Sequence, residues 1–246
     1  MVETEPGGIR LFLLGMAVLI PAVWLDTSLT GSDEYRVTFR TALETAASDD
    51  WTIPTLDAEP RLRKPPLYYW LLASSIKWFG SNPLSLRIWG VICAVLMALV
   101  TATIGKRFTG TSAMLIFVIL IGTIGLATES RRAMLDIPMA MMLLLSVERF
   151  LAWWTDGGAV RIGAAGVLLA LACLIKPTAL LFGFAAIISL FLVGPHRSSR
   201  ATLSQLVLFL TAFLVVAMPW WIHAYLQYPE LLQQRWNEQI AHRQFS

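Results

Sequence analysis

The 246-residue chain contains few charged residues, and this shortage limits what kind of protein it can be. Asp, Glu, Lys and Arg make up 14% of the sequence, whereas soluble domains carry about 25%. Hydrophobic residues make up 57%, and the mean hydropathy is +0.65. A soluble core of this size could not bury so much apolar surface, but lipid can solvate the outward faces of apolar helices. The composition therefore predicts an integral membrane protein.

Several kinds of site are also missing from the sequence. The two cysteines, Cys93 and Cys173, lie in apolar runs, which favours buried thiols over a disulfide. Neither the cysteines nor the three histidines have the spacing of metal ligands. No glycine-rich phosphate loop or nucleophile elbow is present, and the scattered cations do not form a nucleic-acid-binding face. The sequence thus specifies no metal site and no certain cofactor, and leaves a divalent cation open.

The apolar residues are grouped into about seven runs that approach the length of roughly 20 residues needed to cross a bilayer. The runs fall near residues 9–25, 84–104, 112–128, 133–151, 162–175, 178–194 and 203–222. Pro21 is expected to kink the first run. Lys176-Pro177 predicts a tight turn between the fifth and sixth runs, with one long kinked helix as the alternative. We therefore predict an all-α polytopic membrane fold with about seven transmembrane helices.

The charges between these runs predict which side of the membrane each loop faces. Loops rich in Lys and Arg stay on the cytoplasmic side. The loops predicted to lie there contain Lys106, Arg107, Arg149, Arg161, Arg197 and Arg200, whereas the long loop 26–66 is rich in acids. The N-terminus is therefore predicted to be cytoplasmic and the tail to face outward, in the plasma (inner) membrane. We expect one transmembrane domain over 1–246, with an outer-face loop at 26–83, a helix bundle at 84–222 and an outer-face tail at 223–246.

The outer-face loop is expected to contain short helices. Residues 35–47 have helical character and are too polar to span a membrane. Residues 67–79 are apolar but shorter than a span, which suits a helix lying in the membrane interface. The rings of Tyr68, Tyr69, Trp70 and Trp78 are expected to lie at headgroup level.

Two adjacent carboxylates, Asp33 and Glu34, follow the first apolar run. Near the membrane surface such a pair can act as a general base for an incoming hydroxyl or amine. Ser32-Asp33-Glu34 also suits the start of a helix, where acidic residues act as caps. The residues alone leave both interpretations open.

Three cations, Arg61, Arg63 and Lys64, precede the proposed interfacial helix. Cations at headgroup level attract lipid phosphate, and a guanidinium offers phosphate a bidentate fork. These residues therefore form either a specific phosphate site or a general anchor to anionic lipid.

The last charged feature is Asp136, at the outer end of a predicted span. Charged groups within spans usually face protein or water. Asp136 is therefore either a functional carboxylate or the ion-pair partner of Arg131 or Arg132. Arg87 and Lys176 are likewise either functional cations or side chains that only snorkel to the interface.

Eight segments, taken in order, carry a resemblance to a known family. They are Asp33-Glu34-Tyr35, residues 50–54, residues 64–70, Phe79-Gly80, Arg87, residues 132–138, residues 174–177 and residues 218–221. Their combination resembles the aminoarabinose transferase and protein O-mannosyltransferase group of membrane glycosyltransferases, which have the C-type glycosyltransferase fold. The resemblance runs from about residue 9 to the end of the chain.

The resemblance implies a function and roles for particular residues. The donor would be a polyprenyl-phosphate sugar, transferred to a lipid or protein acceptor at the outer face of the membrane. Asp33 would be the functional carboxylate, with Glu34 beside it, and Asp136 would be a second acid. Lys64 would contact the donor phosphate, and Arg61 and Arg63 would support it.

The chain also departs from the family's pattern. Arg63 stands where members commonly carry an acid, and Lys176-Pro177 lacks the glycine often found between these residues. The resemblance covers only what is the N-terminal half of family members. Three interpretations follow: a truncated or split enzyme completed by a second polypeptide, a shortened homologue that keeps the donor-binding half, or a non-catalytic structural subunit of a larger membrane complex. A transporter is disfavoured because the charged groups lie at span ends rather than near the midplane.

Overall fold

The structure is a computed structural model that describes residues 7–25, 34–194, 198 and 202–234. These residues are mostly helical, which confirms the predicted all-α polytopic membrane fold. The α-helices are α1 (Gly8–Leu19), α2 (Ala22–Leu25), α3 (Arg40–Ala47), α4 (Leu67–Phe79), α5 (Pro83–Thr109), α6 (Ala113–Ile121), α7 (Ile124–Ser130), α8 (Asp136–Asp156), α9 (Ala159–Ile175), α10 (Ala179–Val193) and α11 (Gln205–Gln227). A π-helical segment, Glu34–Phe39, leads into α3, and the short strands β1 (Thr55–Leu56) and β2 (Glu59–Pro60) form an antiparallel hairpin.

Each predicted apolar run is helical in the structure, but the runs differ in length. Helices α5, α8 and α11 are long and apolar enough to cross a membrane, whereas α9, α10 and the first run are shorter. The first run is interrupted near Pro21, as expected from the proline. The run 112–128 is not one helix, since α6 and α7 meet at a bend of 64° at Gly122-Thr123. The described residues thus contain three spans of full length, or four if the bent pair counts as one.

The chain reverses direction at Lys176-Pro177. Lys176 has an extended backbone, with φ −151° and ψ 118°, and ends α9. Across the turn, a Cβ built on Gly183 would lie 2.7 Å from a side-chain methyl of Leu169. In one continuous helix these two residues would be about 21 Å apart along the axis. The predicted turn is therefore confirmed, and the long kinked helix is excluded.

The main core lies where α8 and α9 pack together. Phe150 and Trp153 of α8 are almost fully buried, and their rings lie 5.1 Å apart at a steep angle. Helix α11 crosses α9 closely at Gly166, where an added Cβ would lie 2.3 Å from the carbonyl oxygen of Phe209. A second core joins α1, α5 and α6. Together these contacts fix the start of α8 and the end of α9, which carry the charged residues considered next.

Helix α4 has the predicted bounds, but two of the four aromatic side chains expected at headgroup level are buried within the protein. Its start follows Pro65-Pro66, and its end is set by Gly80, whose φ of +76° disfavours other residues. Tyr68 and Tyr69 are fully buried within the protein, whereas Trp78 is 76% exposed. The two tyrosines therefore pack α4 against the bundle, and the placement of the four aromatic rings at headgroup level stays a prediction.

Candidate functional site

Glu34 lies in a buried ion pair within the first long loop, which we predict to face outward and continue to call the outer-face loop. Its neighbour Asp33 lies outside the described residues. The Arg87 side chain donates from Nε to Oε1 of Glu34 at 3.0 Å and from Nη2 to Oε2 at 3.3 Å. The side chains of Glu34 and Arg87 are only 1% and 2% exposed. Buried charges require such pairing and hydrogen bonding. The interpretation of Arg87 as a snorkelling side chain is therefore wrong.

This ion pair forms hydrogen bonds with two other parts of the chain. The backbone N–H of Ala133 donates to Oε1 of Glu34 at 2.8 Å, and Nη1 of Arg87 donates to the carbonyl of Val23 at 3.2 Å. The pair therefore joins the outer-face loop and α5 to α2 and to the loop between α7 and α8. We call Glu34, Arg87, Ala133 and Val23 the clasp. Glu34 also begins a π-helical segment, a conformation that occurs frequently at functional sites.

Gly90 allows the loop before α8 to approach α5. A Cβ at this position would lie 2.4 Å from the carbonyl oxygen of Ser130 and 3.2 Å from that of Arg132. Real Cβ atoms do not come so close to backbone oxygens, so a larger residue would push the loop away. The absence of a side chain at Gly90 thus helps to bring the amide of Ala133 to Glu34.

Several cations and Asp136 lie near Lys64. Nζ of Lys176 lies 2.6 Å from Oδ1 of Asp136, and the Asp136 side chain is 55% exposed. Lys64 is half-buried, and burial is the main cause that lowers its pKa, followed by the charges of Lys176, Arg61 and Arg63. Asp136 acts in the opposite direction and raises the pKa of Lys64. These five residues therefore lie close enough to influence one another, and we call them the cation cluster.

The partner of Asp136 differs from the one expected from the sequence. Arg132 pairs with Glu129, with Nη1 and Oε1 3.1 Å apart, while Asp136 pairs with Lys176. The sequence could not show this pairing directly, because 40 residues separate Asp136 and Lys176. Lys176 does fall in one of the segments that carry the family resemblance, and this resemblance could have identified Lys176 as a site residue.

The clasp and the cation cluster lie on the same side of the bundle. Ala133 belongs to the clasp and Asp136 to the cluster, and three residues span at most about 10 Å. Glu34 is hydrogen-bonded to Ala133, and Lys64 responds to the charge of Asp136. Glu34 and Lys64 therefore share one end of α8, as a common site requires.

Two indole rings hold the middle of the outer-face loop against this end of the bundle. Nε1 of Trp70 on α4 donates to the carbonyl of Trp51 at 2.6 Å. Nε1 of Trp220 on α11 donates to the carbonyl of Thr52 at 2.9 Å. Two segments that carry the family resemblance, 50–54 and 218–221, thus contact each other directly. Their shared role is to anchor the loop that supplies the cations.

The described residues contain no group of three or more His, Cys, Asp or Glu side chains that could hold a metal ion. The Lys and Arg side chains of the cation cluster can bind an anion. A phosphate group fits this arrangement, because Arg forms bidentate bonds with it and Lys supplies a point charge.

The fold and the site together define a polytopic membrane protein with a cationic site at one end of its helix bundle. Residues 63–223 match the family described as dolichyl-phosphate-mannose-protein mannosyltransferase. The chain belongs to this family. It is also similar to an uncharacterized protein of Aquifex aeolicus (strain VF5), with 28% identity over 136 residues, covering 54% of this chain and 26% of that protein.

The fold is similar to that of ArnT from Cupriavidus metallidurans. The crystal structure of ArnT bound to undecaprenyl phosphate matches 90% of this chain with a TM-score of 0.77 and 19% identity. The apo crystal structure matches the same share with a TM-score of 0.74. This chain covers 42% of the first ArnT chain and 43% of the second. It therefore spans about two-fifths of ArnT and about a quarter of the Aquifex protein.

Proposed function

We propose that this protein binds a polyprenyl-phosphate sugar at the outer face of the membrane and takes part in transferring the sugar to a lipid or protein acceptor. The observation that carries the proposal is that Lys176, Arg61 and Arg63 lie near enough to Lys64 to act on its charge, while Lys176 is ion-paired with Asp136. Membership of the mannosyltransferase family supports it, as does a fold similar to that of ArnT, which was crystallised with undecaprenyl phosphate.

The cation cluster suits the charge that develops during sugar transfer. Displacement at the anomeric carbon releases the donor phosphate, which gains negative charge as the sugar leaves. Fixed cations that are present before the reaction stabilise that charge most effectively. Half-burial lowers the pKa of Lys64 because its charge is poorly solvated. A bound phosphate would replace the missing solvation and stabilise the charged form of Lys64.

The carboxylates take different roles in this proposal. Asp33 is the base or the acid that positions the acceptor, as the family resemblance implies. Asp136 is the supporting carboxylate, and its ion pair holds Lys176 beside Lys64. Glu34 is better suited to positioning than to proton transfer, since both of its oxygens accept hydrogen bonds within the clasp. It holds the chain directly after Asp33 in place.

Donor binding tests the proposal. The purified protein is incubated with a radiolabelled polyprenyl-phosphate sugar, and the retained label is compared between wild type and Lys64→Ala. Lys106→Ala is the matched control, because Lys106 lies 23 positions further along α5 than Pro83, about 35 Å towards the opposite end of that helix. We expect Lys64→Ala to reduce retention strongly and Lys106→Ala to preserve it. Equal retention in both variants would refute the assignment of the donor site.

A second candidate function is a non-catalytic subunit of a larger membrane complex. The observation that favours it is the exposure of α11. Only 17% of the most apolar stretch of this helix is buried within the protein, compared with 50% for α8. A second polypeptide could cover this surface, either as a structural partner or as the remaining part of a split enzyme. Absence of donor binding by a folded protein, together with a stable membrane partner, would favour the structural role.

A further inference from the structure

The basic segment 61–64 follows directly after a β-hairpin whose turn has an unfavourable backbone conformation. Leu56 pairs with Glu59, so the turn itself contains only Asp57 and Ala58. These two residues have φ angles of +58° and +63°. Two-residue hairpin turns with two positive φ angles favour Asn-Gly or Asp-Gly, and the left-handed region is uncommon for other residues. Ala58 therefore stands where glycine is preferred, and contacts from outside the turn must stabilise it.

Glu44 of α3 supplies the main contacts to this turn. Its carboxylate accepts hydrogen bonds from the N–H of Asp57 at 2.7 Å and from the N–H of Ala58 at 3.2 Å. It also accepts one from Oγ1 of Thr55 at 2.8 Å. Arg40, one helical turn before Glu44, forms an ion pair with Asp57. Both amides of the turn thus bind one carboxylate, and these bonds oppose the cost of the left-handed conformation.

The hairpin in turn determines where the basic segment lies. The N–H of Arg61 donates to the carbonyl of Pro54 at 2.8 Å, which extends the pairing beyond the two strands. Leu62 is only 4% exposed and packs in one cluster with Ile53. Lys64 follows two residues later, and two residues span at most about 7 Å. A shift of the hairpin would therefore displace the residues that precede Lys64.

We propose that Glu44 is a positioning residue for the donor site and that it acts through the hairpin on the basic segment 61–64. By holding the turn, Glu44 fixes the pairing of the hairpin, and the hairpin keeps the basic segment beside Lys176. The effect on donor binding rests on the proposed function, whereas the hold on the turn does not. Glu44 contributes through the backbone it binds and not through contact with the donor.

The charge of Glu44 separates positioning from a general electrostatic effect. Loss of a negative charge from the outer-face loop makes the local potential more positive, and by electrostatics alone this would strengthen the binding of an anionic donor. The positioning role predicts the opposite, namely weaker binding in Glu44→Ala. Glu59 provides a charge-matched control. It is an exposed carboxylate on the same hairpin and pairs with Leu56 through its backbone, so Glu59→Ala removes one negative charge and keeps the turn.

Two measurements on the full chain in detergent test the role of Glu44. Hydrogen–deuterium exchange of residues 55–64, followed by mass spectrometry, should be about tenfold faster in Glu44→Ala, because the amides of the turn lose their acceptor. The affinity for undecaprenyl phosphate should fall about tenfold in the same variant. Glu59→Ala should keep the slow exchange and should not weaken binding. Faster exchange in Glu44→Ala with unchanged or tighter binding would overturn the positioning role, as would an equal loss of affinity in Glu59→Ala.

A rescue experiment separates positioning from a general loss of structure. Asp57→Asn together with Ala58→Gly gives the turn the sequence that favours two positive φ angles. Added to Glu44→Ala, these substitutions should restore both slow exchange and donor affinity, because the turn no longer needs the carboxylate. Glu44→Gln should lie between wild type and Glu44→Ala, since its amide oxygen can still accept from the turn. Restored exchange without restored affinity would show that Glu44 affects the donor site by another route and would overturn the proposal.

The two readouts also distinguish this proposal from the proposed function. If wild type binds undecaprenyl phosphate and Glu44→Ala binds it equally well, the positioning role is refuted and the donor site stands. If wild type does not bind undecaprenyl phosphate, the proposed function is refuted. In that case, faster exchange in Glu44→Ala and its rescue by the turn substitutions would still support the hold of Glu44 on the hairpin, and unchanged exchange would refute it.

Discussion

At the scale of single residues, the buried Glu34–Arg87 pair shows how charge is used inside this apolar protein. Each charge is nearly inaccessible, and each is satisfied by the other and by a backbone group. Removing one partner of such a pair leaves an unpaired buried charge, which costs about 3–5 kcal/mol. Replacing both partners by apolar residues is far less damaging. This asymmetry makes the clasp testable.

The first prediction concerns the clasp. Arg87→Leu should lower the thermal unfolding temperature strongly, because the charge of Glu34 remains buried without its partner. Arg87→Leu combined with Glu34→Leu should be more stable than Arg87→Leu alone. Unfolding can be followed with a thiol-reactive dye, since Cys93 and Cys173 are both free and buried. If the two substitutions lower stability additively, the residues do not form the pair seen here.

The second prediction concerns the charge of Lys64. Its folded pKa lies below the ordinary value of 10.5, mainly because of burial. Free-protein stability should rise with pH between the lowered pKa and 10.5, since the unfolded chain binds more protons there. Binding of polyprenyl phosphate, which requires the charged lysine, should fall as pH rises through the lowered pKa.

Asp136→Asn provides the check on this pH dependence. Asp136 raises the pKa of Lys64, so its neutralisation should move the loss of donor binding to lower pH. A scintillation proximity assay over a pH series measures the midpoint in both proteins. A midpoint that stays the same or moves to higher pH would contradict the placement of Asp136 beside Lys64.

At the residue scale, the sequence was sufficient to select the important charged residues but not to identify their ion-pair partners. Lys64 and Asp136 could be selected because each falls in a segment that resembles the family. Arg87 could not be paired, because Glu34 is 53 positions away and the intervening residues include the whole outer-face loop. Long-range pairing depends on the packing of α5 against the loop before α8, which no local pattern reveals.

At the scale of elements, glycines decide how closely neighbouring segments approach. Gly90 allows the loop before α8 to lie against α5, and Gly166 allows α11 to cross α9. Close backbone approach of this kind is common between membrane helices, since small residues permit van der Waals packing where lipid gives no hydrophobic drive.

The third prediction is that Gly90→Ala weakens the clasp. The new methyl group would collide with the carbonyl of Ser130 and displace the amide of Ala133 from Glu34. Overpacking of this kind costs about 1–3 kcal/mol, which should appear as a lower unfolding temperature in the thiol-dye assay. Gly125→Ala is the matched control, because a Cβ there meets no atom within 4 Å. Equal effects of the two substitutions would show that close packing at Gly90 is unimportant.

Element boundaries could be predicted where proline and glycine mark them. Helix α4 has the predicted bounds because Pro65-Pro66 precedes it and Gly80 ends it. The bend between α6 and α7 could not be predicted, because Gly122-Thr123 lies within a continuous apolar run and a single glycine does not by itself break a helix.

At the scale of the whole molecule, the clasp and the cation cluster occupy one end of the bundle, while the positive residues Lys106, Arg107 and Arg161 lie at the other. Arg107 and Arg161 both approach Asp156, at the far end of α8 from Asp136. The positive-inside rule predicts that this second end faces the cytoplasm. The fold class could be predicted from composition alone, whereas the orientation remains a prediction.

The fourth prediction is therefore the orientation itself. In a cysteine-free background, Trp78→Cys on α4 should react with an impermeant thiol reagent added outside intact cells. Thr111→Cys, in the loop after α5, should react only after the membrane is permeabilised. Protection of position 78 together with labelling of position 111 in intact cells would reverse the predicted topology.

The central claim is that Lys64 and Lys176 act on the same donor phosphate. The measurement that tests it most directly is the affinity for undecaprenyl phosphate in wild type, Lys64→Gln, Lys176→Gln and the double variant. Each single substitution should weaken binding about tenfold, equivalent to about 1.4 kcal/mol. The double variant should bind more tightly than the product of the two losses predicts, because the residues share one ligand. Unchanged affinity in either single variant, or strictly additive losses, would contradict a common site.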